Sequence, residues 1–165
     1  MKSKPIVLIG PMGVGKTTIG KKLARRLDLP FVDTDQLVVA AHGNIAEIFD
    51  TQGEAAFRKF EEEAVAKALE VPQVIATGGG AVLSGTTQRN LEKAVVVYLS
   101  TNGLHMKSRL SKGNRPLLKD GMADWNRIYT ERKPLYEAIS DFEIDTSAAG
   151  LAKTIDSICE KLGSL

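Results

Sequence analysis

The sequence predicts an α/β fold, a parallel sheet with helices on both faces. Three observations predict it: five short apolar runs alternate with helical patterns, the first and fourth runs are almost continuously apolar, and turn residues flank the runs. The runs occupy residues 5–9, 31–32, 73–76, 94–99 and 142–144 and are rich in Val and Ile. Unbroken apolar runs suit strands buried on both faces, whereas a strand with one wet face alternates. After the first run, Ile19, Leu23 and Leu27 fall four apart within residues 17–27, as on one face of a helix. Asn44 followed by Glu47 is a capping-box pattern, with Asn44 receiving helix amides and Glu47 reaching back. Residues 54–69 read as a long helix with Phe57, Phe60, Ala64 and Ala68 on one face and Glu61, Glu62 and Glu63 partly on the other. Arg132 falls on a helix ahead of Pro134, and Leu151, Ile155, Ile158 and Leu162 mark a last amphipathic helix. Strands alternating with helices imply right-handed crossovers. Residues 111–121 form the most polar, glycine-broken stretch and read as a mobile loop. No repeat, low-complexity tract or linker divides the chain, so residues 1–165 read as one domain.

Composition narrows the class without naming a chemistry. Apolar residues make up 43% and charged residues 25%, which argues against a disordered chain. A net charge of +2 does not call for a polyanionic partner. The single cysteine, Cys159, excludes an intrachain disulfide and favours a reducing cytoplasm. No apolar run approaches the roughly 18 residues of a membrane span. A structured motif at Gly10 stands where the apolar core of a signal peptide would be, so no leader is expected.

That motif is GPMGVGKT at residues 10–17, a full match to G-x-x-x-x-G-K-[ST]. It lies between an apolar strand pattern and a helical one, the context in which it carries meaning. Glycines let successive amides curl around phosphate oxygens, and the helix N-terminus adds unpaired N–H groups and a positive dipole end. Lys16 can reach the β- and γ-phosphates, and Thr17 offers a hydroxyl to Mg²⁺. A nucleoside triphosphate with Mg²⁺ is therefore expected at residues 13–18, Gly13, Val14, Gly15, Lys16, Thr17 and Thr18.

The motif does not name the phosphate acceptor. Asp50 and Gly53 fit the D-x-x-G of a GTPase, but no N-K-x-D follows and the segment before Asp50 reads as helix. FVDTD at residues 31–35 places Asp33 and Asp35 at the C-terminal end of a strand, where ligands of a parallel sheet collect. Two residues apart in an extended chain, they would point the same way. One could order Mg²⁺ through water and the other accept a proton from an attacking hydroxyl, although an aspartate there could equally cap the following helix. TGGG at residues 77–80 follows the third strand and exposes backbone amides to a small ligand. Arg58, Arg115 and Arg132 supply guanidinium forks suited to carboxylate and phosphate.

These motifs together resemble the shikimate kinase family. The resemblance runs from Ile6 to about Thr146, through GPMGVGKTT at 10–18, FVDTD at 31–35, GEAAFR at 53–58, TGGG at 77–80, RPLL at 115–118 and RKPLY at 132–136. The first motif is shared by many nucleotide-binding proteins; the Asp-Thr-Asp, the arginine after Glu-x-x-Phe and the triple glycine are specific in combination. The family implies a P-loop three-layer sandwich like that of nucleoside monophosphate kinases, with a five-stranded parallel sheet ordered 2-3-1-4-5. It implies a shikimate-binding helical segment at about 34–60 and a lid at about 111–123. It also implies transfer of the ATP γ-phosphoryl group to the 3-hydroxyl of shikimate, a step of aromatic amino-acid synthesis.

By that pattern Asp35 contacts the acceptor hydroxyls and takes the proton. Arg58 and Arg132 hold the carboxylate, Gly79 and Gly80 line the ring, Thr17 and Asp33 serve Mg²⁺, and Arg115 is the lid arginine that reaches the phosphates. In some relatives an arginine follows the Asp-Thr of the last strand; here Asp145 and Thr146 lead into Ser147, Ala148 and Ala149, which leaves the adenine to backbone groups and Arg109.

Other residues read as structural. Cys159 belongs on the apolar face of the last helix, His42 and His105 lack partners at metal spacing, and Trp125 packs with Ile128 behind the lid. Lys107, Arg109, Lys112, Arg115 and Lys119 lack the aromatic interleaving of a nucleic-acid surface and suit ATP phosphates better. The expected partners are ATP and shikimate, with no nucleic acid, no membrane and a monomeric state. Two rivals stand beside this reading: a kinase for another small acceptor such as gluconate, and a nucleotide-binding regulatory module without catalysis.

Overall fold

The computed structural model describes residues 3–110, 116–147 and 149–165. Arg115 and the rest of 111–115, within the stretch assigned to a lid, lie outside the described residues. The strands are β1 (Ile6–Ile9), β2 (Phe31–Asp33), β3 (Val74–Ala76), β4 (Val95–Ser100) and β5 (Phe142–Asp145). All pair in parallel, in the order β2-β3-β1-β4-β5, as the resemblance implies. The helices are α1 (Lys16–Leu27), α2 (Thr34–His42), α3 (Ile45–Gln52), α4 (Glu54–Ala68), α5 (Gly85–Leu91), α6 (Met106–Leu110), α7 (Met122–Ile139) and α8 (Leu151–Gly163). A 3₁₀ turn covers Ala81–Leu83. No described helix is long and apolar enough to cross a membrane.

Successive side chains of a strand alternate between faces, and β1 shows what that does to an all-apolar run. Ile6 and Leu8 join Leu23 of α1 and Ile155 and Ile158 of α8 on one side. Val7 and Ile9 join Val65 of α4, Leu91 of α5 and Tyr136 of α7 on the other. Both faces are dry, so the strand has no polar position. Cys159 packs half-buried against the first of these layers, as its place on α8 suggests. A third cluster of Val38, Ile48, Phe57 and Ala64 holds α2, α3 and α4 together beyond the β2 edge.

Three local readings need correction. β2 stops at Asp33 and α2 begins at Thr34, so Asp33 and Asp35 are not a pair on one extended strand. Asp33 is the N-cap of α2, its Oδ1 accepting from the amides of Asp35 at 2.8 Å and Gln36 at 3.3 Å. α7 continues through Pro134 rather than ending ahead of it. A proline costs a helix one hydrogen bond, and α7 is held beyond it by Tyr136, which is fully buried and stacks on Tyr98. Glu61 lies 2% exposed beneath α4 and not on its polar face. The forward half of the capping pattern holds, with Asn44 Oδ1 accepting from the Glu47 amide at 3.2 Å.

The turn from β1 into the glycine loop is the tightest point of the sheet. Gly10 has φ +149°, and a Cβ there would sit 2.4 Å from the Leu99 carbonyl oxygen on β4. Neither backbone can yield without opening the β1–β4 pairing. Gly10→Ala is expected to cost about 2 kcal/mol or more of stability, combining a strained φ with a backbone clash. Urea denaturation checks this, and an unchanged midpoint would contradict it.

Candidate active site

The glycine loop leaves β1 at Gly10 and enters α1 at Lys16, with Gly13 at φ +79° and Gly15 at φ +103°. Its outward carbonyls are tied down by side chains from around the loop. Lys16 Nζ donates to the carbonyls of Gly10 at 2.7 Å and Pro11 at 2.8 Å. The Trp125 indole N–H donates to the Met12 carbonyl at 2.9 Å, and Arg109 donates to the Gly13 carbonyl at 3.0 Å. In a trans peptide the amide faces away from its carbonyl, so these bonds fix the loop's N–H groups as well. Sequence reasoning saw Trp125 only as packing; its indole also braces the glycine loop.

Thr17 on the first turn of α1 donates to Asp33 Oδ2 at 2.6 Å. Asp33 thus caps α2 with one oxygen and meets the glycine-loop helix with the other. The cap reading of this aspartate holds, and its second oxygen remains to meet Thr17 because a carboxylate has lone pairs enough for both partners. A hydroxyl and a carboxylate side by side are hard oxygen donors of the kind that suits Mg²⁺, which needs few protein ligands when phosphates and water complete its shell.

TGGG at 77–80 turns away from the end of β3. None of its glycines has a positive φ, so backbone strain does not account for them. Space does. A Cβ on Gly78 would fall 2.6 Å from Glu61 Oε2 and 2.9 Å from Asp35 Oδ1. A Cβ on Gly80 would fall 2.2 Å from Arg58 Nη1, and one on Gly79 3.5 Å from Arg132 Nη1. Gly78 and Gly80 thus make room for two carboxylates and the Arg58 guanidinium, while Arg132 stands at ordinary contact distance from Gly79. Arg58 Nη1 bonds Glu61 Oε1 at 2.9 Å, and Arg58 Nε meets Glu54 Oε2 at 3.3 Å. Burial pushes the Glu61 carboxyl up from its ordinary pKa, opposed chiefly by Arg58. Its Oε2 is buried without a hydrogen-bond partner among the described residues.

Two cavities meet here. The larger, of about 570 Å³, runs over the glycine loop and is lined by all six residues expected at the phosphates, by Asp33, and by Arg109. Thr146, Ala149 and Leu151, beyond the end of β5, also line it. The smaller, of about 150 Å³, holds Arg58, Gly80 and Arg132 with an apolar wall of Ile45, Phe49 and Phe57. Met12, Asp35, Gly78 and Gly79 line both. Except for Arg115, the expected site residues therefore converge on one divided cleft. Glu61 and Met12 were missed. Met12 lay hidden among the variable letters of its motif. Glu61 follows Phe57 by four residues, a spacing that itself points to the buried face.

Comparison with known proteins agrees with this geometry. The sequence model of the shikimate kinase family matches residues 12–163. The chain belongs to the shikimate kinase family. Shikimate kinase of Francisella tularensis subsp. novicida (strain U112) is 41% identical over 165 residues, covering 96% of this chain and 94% of the relative. Shikimate kinase of Rhodococcus jostii (strain RHA1) is 41% identical over 163 residues, covering 94% and 96%. The solved shikimate kinase from Acinetobacter baumannii, in complex with shikimate, superposes with a TM-score of 0.93 at 32% identity, covering 98% of this chain and 94% of that one. The chain is thus an ATP-dependent kinase of this family, with its P-loop sandwich fold. The regulatory-module reading gives way to catalysis.

The buried Glu61 makes stability depend on pH in a stated direction. Its folded-state pKa is raised above the ordinary 4.5, so the folded protein holds this proton more tightly than the unfolded chain. Stability from this group is present at low pH and is lost as pH rises through the folded-state value. Glu61→Gln is therefore expected to flatten the fall in urea midpoint from pH 4.5 upward. Equal slopes in both proteins would contradict the assignment.

Proposed function

We propose that this chain transfers the γ-phosphoryl group of Mg-ATP to the 3-hydroxyl of shikimate, releasing ADP and shikimate 3-phosphate in aromatic amino-acid synthesis. The observation that carries this is the divided cleft: the glycine loop fills one side, two arginines the other, and Asp35 stands on the shared wall. ATP lies over the loop with its phosphates against the amides of residues 13–18 and Lys16. Arg58 and Arg132 grip the shikimate carboxylate, and Gly79 and Gly80 let the ring lie close. Helices α2 and α3 and the first half of α4, the segment at about 34–60, form the acceptor side.

Asp35 accepts the proton of the 3-hydroxyl as its oxygen bonds to the γ-phosphorus and the bond to the β-phosphate oxygen breaks. Asp35 sits in the first turn of α2, whose cap, Asp33, fixes that turn and so aims the base. Thr17 and Asp33 would hold Mg²⁺. When bound, the metal neutralises charge on the triphosphate. Lys16 and the loop amides stabilise the phosphate oxygens, Arg109 serves the nucleotide side, and the protein's main contribution is position. The reading takes the working state as a cytoplasmic monomer, the cytoplasm being in keeping with a single half-buried cysteine.

A coupled assay of ADP release, with Mg-ATP and shikimate, gluconate or AMP offered in turn, tests the reading. ADP appearing with shikimate alone supports it, and ADP appearing with another acceptor overturns it. Asp35→Asn is expected to lower kcat by at least about 100-fold with the KM for ATP nearly unchanged. Preserved turnover would remove Asp35 from the base role.

A further inference from the structure

We propose that Tyr136 is a positioning residue for the acceptor: its hydroxyl fixes the Gly79–Gly80 peptide so that the Gly80 amide is presented to the acceptor pocket. The inference rests on shikimate occupying the smaller cavity.

Three successive glycines are the most permissive backbone a chain can have. The Ala81 amide donates to the Gly78 carbonyl at 3.1 Å and closes a turn over Gly79 and Gly80, but a turn bond alone leaves the central Gly79–Gly80 peptide of an all-glycine turn able to flip, and none of the three is held at a positive φ. An outside constraint is needed if their amides are to meet a ligand in one fixed direction. The Tyr136 hydroxyl donates to the Gly79 carbonyl at 2.5 Å. The carbonyl has no proton, so the tyrosine is the donor. Burial pushes its pKa up to about 12, against the opposing pull of Arg132, so it keeps its proton through any ordinary working pH.

The Gly79–Gly80 peptide is trans, as are the others among the described residues, so the Gly80 N–H points away from the Gly79 carbonyl in the same plane. Gly80 lines the acceptor cavity, and no described residue accepts from its amide. The tyrosine thus pulls the carbonyl into the core from behind and turns the donor outward. The ring is itself immobile: Tyr136 is fully buried, stacked on Tyr98 with centroids 5.2 Å apart. Arg132 stands one helical turn earlier on α7, so one helix carries both a direct acceptor ligand and the brace behind a second.

Tyr136→Phe keeps the ring and deletes only the hydroxyl. Tyr129→Phe is the matched control. It deletes a neighbouring hydroxyl that bonds Tyr98 at 2.6 Å and does not touch the glycine loop at 77–80. For Tyr136→Phe the KM for shikimate should rise about tenfold, equivalent to about 1.4 kcal/mol, with kcat and the KM for ATP within about twofold. Tyr129→Phe should leave the shikimate KM in place. An unchanged shikimate KM in Tyr136→Phe, an equal rise for both substrates, or the same rise in Tyr129→Phe would overturn the proposal. If Tyr136→Phe does not fold, wild-type enzyme labelled with ¹⁵N-glycine decides. The Gly80 amide resonance should shift when shikimate is added without nucleotide, and a resonance that does not move overturns the proposal. Wild-type enzyme that releases no ADP with shikimate would instead sink the functional reading beneath it.

Discussion

A carboxylate removed from water must be given a cation, and the acceptor side of this molecule is arranged around that demand. Glu61 is buried under α4, and Arg58, one turn earlier, is brought onto it. Parting the two would leave the Glu61 carboxyl buried without its cation, whereas the partly exposed Arg58 could still reach water. The Arg58 guanidinium occupies the space a Gly80 side chain would take, and Glu61 Oε2 the space a Gly78 side chain would take. Asp35 shares the same bare surface, and Arg132 approaches the intervening glycine from α7. The charges that would recognise a hydroxylated acid are thus pre-placed by one another.

The two glycine-rich loops of the cleft illustrate different uses of the same residue. In the first loop Gly10, Gly13 and Gly15 adopt positive φ, and the need is conformational. In the second loop no glycine does, and the need is for volume. Side chains then restore the rigidity that glycine gives away. Lys16, Trp125 and Arg109 hold carbonyls of the first loop, and Tyr136 holds one of the second. Two of these four come from α7, so a helix remote in sequence from both loops braces both.

Much of this was legible in the sequence. Apolar runs without alternation gave strands buried on both faces, and β1 divides its four side chains between two cores as such a run must. The nucleotide loop was legible because its chemistry fixes both residue type and spacing. The cap at Asp33 was legible as one of two readings, but its pairing with Asp35 along one strand was not, because the chain turns helical immediately after Asp33. Glu61 was misplaced because its charge outweighed its spacing from Phe57; the period of the helix was the better guide. Tyr136 closes the RKPLY motif, but its hydrogen bond was not legible there, since the partner carbonyl lies 57 residues away. The short helices α5 and α6 span seven and five residues, too few to show a period.

The central claim is that the second glycine loop exists to seat charged side chains. Calorimetric binding of shikimate and of ATP to Gly80→Ala tests it most directly. The added methyl would meet Arg58 Nη1 at 2.2 Å and drive the guanidinium off Glu61. Shikimate affinity should fall by about tenfold or more while ATP affinity stays within about twofold. Shikimate binding as tight as in the unmodified protein would contradict the claim.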